Sequence, residues 1–173
     1  MKLSITFFIA TALVALLTSP LRAENLSCGI SPRIAQPIGD FANLAGFGIG
    51  FGVNCRKSFK GLPTTISIGQ LKFATQHIGA IQSKTRTIYI NIGPRYYLKS
   101  EKPLKLYGKI DLSRHLVSTK SEFGGQQNSA EAGSNKLFVG IGFEIGPLGT
   151  EAEYDLVGEW LGINLYYSVG GDN

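Results

Sequence analysis

Beyond residue 17 the chain has no apolar run long enough to cross a bilayer as a helix, which needs about 20 residues. It has two cysteines and two histidines in 173 residues. None of them falls in a metal-ligand spacing, so no metal site is expected. No nucleophile elbow is present, and the G-x-G-x-G repeats between Gly46 and Gly52 are not followed by a helix that could cradle phosphate. Nucleotide binding is therefore excluded, and no cofactor is implied. Low-complexity tracts and linkers are also missing, although the chain contains 22 glycines. Charge is modest. Of the 17 basic residues, Lys2 and Arg22 fall in a leader segment, which leaves 15 against 12 acidic residues and a net charge of +3. An exported chain with so small an excess is not expected to bind nucleic acid.

The leader itself is legible. In residues 1–23, Lys2 supplies a positive start, residues 5–17 an apolar stretch, and residues 20–23 a cleavage region ending at Ala23. The apolar stretch is too short for a retained anchor. The remaining 150 residues, 24–173, suit a single domain. Two cysteines in an oxidising compartment predict one disulfide, Cys28 to Cys55.

Residues 45–54 read A-G-F-G-I-G-F-G-V-N, with Phe47, Ile49, Phe51 and Val53 alternating with glycine. A period of two sets the two groups on opposite faces of a strand. The glycine face fits a wall that curves around a small, crowded interior. The bulky face then points outward, which is favourable when the surroundings are lipid. Seven further segments alternate in the same way. Leu26, Cys28, Ile30 and Ile34 mark the first. The third, residues 64–75, begins with Ile66 and Ile68 and then switches to Leu71 and Phe73, which predicts a bulge near Gly69-Gln70. The fourth sets Ile88, Ile90, Ile92, Tyr96 and Leu98 against Tyr89, Asn91, Gly93, Arg95 and Tyr97. Leu104, Leu106, Ile110 and Leu112 define the fifth, and Leu137, Val139, Ile141, Phe143 and Ile145 the sixth. Ala152, Tyr154 and Leu156 follow in the seventh. The eighth carries Leu161, Ile163, Leu165, Tyr167 and Val169. Residues 76–84 and 119–135 are polar and read as loops.

Connections after the second, fourth and sixth strands are short, whereas those after the first, third and fifth are longer, and only the last hairpin, residues 157–160, departs from this. This is the layout of a membrane barrel with short turns at one rim and loops at the other. If Cys28 opposes Cys55, Ile30 meets Val53 and Ile34 meets Ile49, so bridge and register agree. Residues 37–53, 88–98 and 137–145 resemble strands of the small eight-stranded OmpA/OmpX-type outer-membrane proteins, and the likeness of pattern covers nearly the whole mature chain. That resemblance implies an all-β, up-and-down transmembrane barrel of eight antiparallel strands in the outer membrane of a Gram-negative cell. One departure is visible: the family usually ends on an aromatic residue, whereas this chain closes with Ser168-Val169-Gly170-Gly171-Asp172-Asn173.

The faces opposite the apolar ones carry Arg33, Arg95, Lys105, Lys109, Asp111, Glu144, Glu151, Glu153 and Asp155. Charges in a narrow barrel are costly unless paired. The basic residues lie mostly on the fourth and fifth strands and the acidic ones on the sixth and seventh, which predicts an ion-pair plug across the lumen. Glu151 and Glu153 share a face, but the interior leaves no room for a sugar between them. His77 and His115 are expected at the rims. Lipid A deacylases, which are barrels of this size, use a His and a Ser on their outer surface, but Ser113 and Ser118 do not reproduce the close His-x-Ser arrangement around His115. Tyr96, Tyr97, Tyr166 and Tyr167 lie near strand ends where an interfacial aromatic girdle belongs, and of these Tyr96 and Tyr167 are on the outward face.

The resulting expectation is a non-enzymatic, monomeric outer-membrane barrel with a plugged lumen. Its partners would be membrane lipid and lipopolysaccharide, together with host or surface ligands met through its loops. The main rival is a soluble lipocalin-like barrel binding an apolar ligand, which requires the apolar faces to point inward. A lipid-modifying barrel enzyme is a second rival.

Overall fold

The computed structural model describes residues 26–59, 61–101, 103–158 and 160–169. The signal segment expected at residues 1–23 lies outside them. The strands are β1 (Leu26–Pro37), β2 (Gly48–Phe59), β3 (Leu62–Phe73), β4 (Gln76–Ile78), β5 (Ile81–Glu101), β6 (Leu104–Phe123), β7 (Gln126–Ile145), β8 (Leu148–Asp155) and β9 (Trp160–Val169). They form one antiparallel sheet in the order β3-β2-β1-β9-β8-β7-β6-β5-β4, and a further β3–β5 pairing closes the ring. Because β4 pairs only with the start of β5, eight strands build the wall. A closed ring leaves no wall strand with an unpaired edge at mid-height.

β1 meets β2 with Cys28 opposite Cys55, Ile30 opposite Val53 and Ile34 opposite Ile49. The β2 glycines turn inward and Ile49, Phe51 and Val53 outward. Space left by inward glycines is taken by aromatic rings from neighbouring strands. A Cβ on Gly52 would sit 2.6 Å from the Tyr89 hydroxyl, and one on Gly142 would sit 2.5 Å from Tyr107. Glycine is needed at these positions because the rings already occupy the lumen.

Three expectations are corrected. β3 has no bulge: its register with β2 runs unbroken from Gly48↔Phe73 to Phe59↔Leu62. Leu71 and Phe73 are inward, buried apolar residues, and the apparent change of parity reflects a change in lumen chemistry. The shift in register lies instead in β5, between Tyr97 and Lys99. Residues 119–135 are not a loop. They continue β6 and β7 as a paired ladder up to Phe123↔Gln126. That ladder turns at Gly124 and Gly125, whose φ angles of 56° and 80° fit a two-residue hairpin turn. Residues 76–84 similarly contain β4 and the start of β5.

The wall is therefore uneven. β5, β6 and β7 have 21, 20 and 20 residues, whereas β8 and β9 have 8 and 10. The tall strands project beyond the rim opposite the one where β1 begins and β9 ends.

Candidate functional site

Inward side chains divide the lumen into two tiers. Toward the terminal rim the interior is ionic. The Glu144 carboxylate accepts hydrogen bonds from Arg95 Nη1 and Tyr166 Oη, both at 2.7 Å, and from Tyr97 Oη at 3.1 Å. It also pairs with Arg56. Arg95 Nη2 reaches Glu151 Oε2 at 3.1 Å, and its guanidinium lies 4.5 Å from the Tyr107 ring centre and 4.9 Å from that of Tyr166. Lys109 Nζ stands 2.6 Å from Glu151, 2.8 Å from Glu153 and 2.8 Å from Asp111. Asn164 Nδ2 donates to Glu151 at 2.9 Å and to Glu153 at 3.2 Å. Higher up, Arg33 pairs with Glu153, and Lys136 Nζ lies 2.9 Å from Asp155.

Five cations (Arg33, Arg56, Arg95, Lys109 and Lys136) thus face five carboxylates (Asp111, Glu144, Glu151, Glu153 and Asp155). Balanced charge, with several donors per carboxylate, is what makes burial of so many ions tolerable. Lys105 is inward but half-exposed at the terminal rim, with no ion pair among the described residues. Arg56 and Lys136 extend the set beyond the sequence-based one. Both share parity with inward glycines, Arg56 with Gly52 and Lys136 with Gly140, so alternation carried the signal. The segregation of charge is also looser than expected, since Arg33 comes from β1, Arg56 from β2 and Asp111 from the strand that carries Lys109.

The upper tier is largely apolar, apart from the Lys136–Asp155 pair beside Phe138. Ala35, Ala45, Leu71, Phe73, Phe138 and Trp160 form one buried cluster together with Tyr89. Phe73 stacks on Trp160 at 5.9 Å, and Phe41 meets Phe73 edge-on at 5.4 Å. Phe41 belongs to a short 3₁₀ turn, Gly39–Asn43, in the β1–β2 connection. That connection is tied across the mouth by Gln76 donating to the Ala42 carbonyl at 3.2 Å and Ser83 donating to the Leu44 carbonyl at 3.3 Å. Arg33 joins the tiers: its guanidinium lies 4.4 Å from the Tyr89 ring centre and 5.4 Å from that of Trp160.

His115 is not at a rim. It is 1% exposed and packs 4.7 Å from Trp160 and 5.5 Å from Phe138. By strand parity Ser118 points to the other side of the wall, so the two cannot act on one substrate. His77 is exposed on β4. No group of three or more His, Cys, Asp or Glu that could hold a metal occurs among the described residues. The space between Arg33, Tyr89, Arg95, Glu151, Asn164 and Tyr166 amounts to about 10 Å³. Such a cavity accommodates one water and no substrate.

On the outer face the pattern inverts. Ile30, Ile49, Phe51, Val53, Leu112, Ile141, Leu165 and Val169 are among the large apolar side chains left exposed, several at more than half their surface. At the terminal rim Cys28 and Cys55 are disulfide-bonded, with Cα atoms 4.1 Å apart. Tyr96 and Tyr167 lie outward near the same rim, as the girdle pattern requires.

No family model matches the chain, and no curated protein does. Solved structures do. Ail, the attachment invasion locus protein of Yersinia pestis, is 16% identical and superposes with a TM-score of 0.52, over 83% of this chain and 93% of that one. The N-terminal β-barrel domain of Pseudomonas aeruginosa OprF is 13% identical, with a TM-score of 0.47 over 83% and 97%. Neisserial surface protein A is 14% identical, with a TM-score of 0.45 over 83% and 92%. The likeness to Ail shows the fold, which is that of the small OmpA/OmpX-type outer-membrane β-barrels.

Proposed function

We propose that the protein is an exported, monomeric outer-membrane barrel with a plugged lumen and no catalytic role, which presents its tall rim to ligands at the cell surface. The inverted distribution of polarity carries this reading. Exposed isoleucine, leucine and phenylalanine side chains ring the outer wall, while nine charged side chains are buried inside it. Water on the outside would leave that belt unburied, whereas lipid accommodates it. The lipocalin-like rival needs the opposite arrangement, with an apolar interior cavity, and the lumen is ionic and filled. The enzyme rival needs His115 on the outer surface, and His115 is buried inside.

Two features support the plug. The lower tier is saturated with ion pairs, and the upper tier is closed by Trp160, Phe73 and the β1–β2 connection. The tall β5–β6–β7 rim supports the surface role, because residues 126–133 of β7 are all exposed and form no part of the lumen. Ail, named for attachment and invasion, makes surface contact a reasonable role for such a rim.

Membrane fractionation tests the location, together with gel mobility before and after boiling. The folded barrel is expected in the outer-membrane fraction with a heat-modifiable shift, because its closed ladder resists detergent. Recovery from the soluble periplasm without a shift would refute the reading. Planar-bilayer recordings address the plug, and steady nanosiemens channels would replace it with transport.

A further inference from the structure

The outer wall is not uniform around its circumference. On β1, β2, β8 and β9 the only outward cation among the described residues is Lys57, near the terminal rim. Five outward cations gather instead on one side of the tall rim: Lys72 of β3, Lys84 and Arg86 of β5, and Arg114 and Lys120 of β6. Lys72 stands directly opposite Arg86, and Lys84 directly opposite Lys120. Like charges facing each other across neighbouring strands repel and destabilise the sheet. None of the five has a carboxylate partner within ion-pair distance among the described residues. Arg86 donates to the Gln70 amide oxygen at 2.6 Å and Arg114 to that of Asn135 at 3.0 Å, so their nearest partners are neutral. Two repulsive pairs thus stand side by side on the same face of the sheet.

These cations border a groove of about 960 Å³ where β3 ends and β5, β6 and β7 continue upward. Ile88 and Leu116 contribute apolar surface to the same groove, and Glu131 is its one lining carboxylate. Below it the outward residues become wholly apolar: Ile90 and Ile92 on β5, Ile110 and Leu112 on β6. Cationic groups therefore sit directly on top of the belt, on one wall. A ligand that fits both parts carries negative groups at its upper end and hydrocarbon below. We infer that this groove holds the phosphorylated saccharide head of an outer-leaflet glycolipid of lipopolysaccharide type, with its acyl chains lying on the β5–β6 belt. Phosphate oxygens accept charge-assisted hydrogen bonds from both members of each like-charged pair and turn repulsion into bridging. A soluble polyanion would use the cations but leave the apolar floor idle. This inference rests on the outer-membrane reading above and adds to it one binding site on one wall.

The test uses the full mature chain folded in detergent, with the heat-modifiable shift as a separate control. Binding is titrated with purified lipopolysaccharide, with the same material stripped of phosphate, and with a sulfated polysaccharide. Phosphate removal is expected to weaken binding by about tenfold or more, as is the variant K72Q/K84Q/R86Q/K120Q, because each lost charged contact is costly. Lys57→Gln is expected to bind as the parent does. Without glycolipid, Arg86→Gln alone should fold with unchanged or slightly raised stability, since it removes a repulsion. Equal binding of phosphate-free material, no loss in the fourfold variant, or equally strong competition by the sulfated polysaccharide would each overturn the inference. Loss of the heat shift in the parent protein would instead count against the membrane barrel itself.

Discussion

The two tiers of the lumen fill the same cross-section by different means. In the lower tier Arg95, Lys109, Glu144, Glu151 and Glu153 hold one another through short, directional contacts. The upper tier, Leu71, Phe73, Phe138 and Trp160, is held chiefly by contact area. An ionic interior has little tolerance for a lost partner, because the remaining charge has no water to turn to. An apolar interior loses packing in proportion to the volume removed. The lower tier should therefore respond to the sign of a substitution and the upper tier to its size.

The largest effect is expected from Glu153→Lys, which sets a third cation against Arg33 and Lys109. It should cost about 5 kcal/mol, the upper end for breaking a buried pair. Urea-unfolding midpoints of the protein folded into lipid vesicles measure this. Glu153→Gln keeps the shape and loses the charge, so it should cost clearly less. Equal costs for the two would mean that the lower tier also depends on shape. Next comes Trp160→Ala in the upper tier, at about 3 kcal/mol from lost burial and the cavity left beside Phe73 and His115. Trp160→Phe should recover most of that loss. A polar substitute that stabilised as well as Phe would abolish the distinction between tiers.

The same contrast in lumen chemistry decided which parts of the structure were legible in the sequence. Alternation revealed the wall wherever one side met lipid and the other met polar or glycine-lined lumen, as in β2, β5, β6 and β9. The first hairpin's register was readable because Ile30–Val53, Ile34–Ile49 and the cysteine pair all demanded the same offset. The rule failed where the two sides have the same chemistry. At Leu71 and Phe73 the lumen turns apolar, and an inward apolar residue looks like an outward one. Along residues 119–135 both faces meet water, so the upper parts of β6 and β7 left no hydrophobic period to detect. Arg56 and Lys136 lay on inward parity but beyond the apolar positions that marked the strand ends. The groove cations were visible as residues, but only the pairing of β3 with β5 and of β5 with β6 brings them together.

A smaller effect, about 2 kcal/mol, is expected from Cys28→Ser, which opens the bridge between β1 and β2. The bridge touches neither tier. It spans a sequence separation of 27 residues and acts chiefly on the unfolded chain. Reduction should therefore lower the urea midpoint of the parent and leave that of the variant unchanged. In double variants its effect should add to those of Glu153→Lys and Trp160→Ala. Strong coupling with Glu153→Lys would show that the lower tier depends on the bridge for its alignment.

The smallest effect should come from the hairpin beyond the rim. Replacing residues 121–128 with Asn-Gly keeps the Lys120↔Ser129 pair and closes the ladder three residue pairs sooner. The removed segment is almost wholly exposed and contributes nothing to either tier. Its ladder is only a two-stranded ribbon in water, which is marginally stable alone. The unfolding free energy should change by less than about 0.5 kcal/mol, within the range of ordinary surface changes. Heat-modifiable mobility should persist, and conductance should match that of the parent, because the change leaves Trp160, Phe73 and the β1–β2 connection untouched. Binding of a surface ligand that contacts the projecting hairpin should fall in the same variant. A large loss of stability would mean that the projecting ladder supports the cap beneath it, and the lumen's two tiers would then be joined by a third structural layer above the rim.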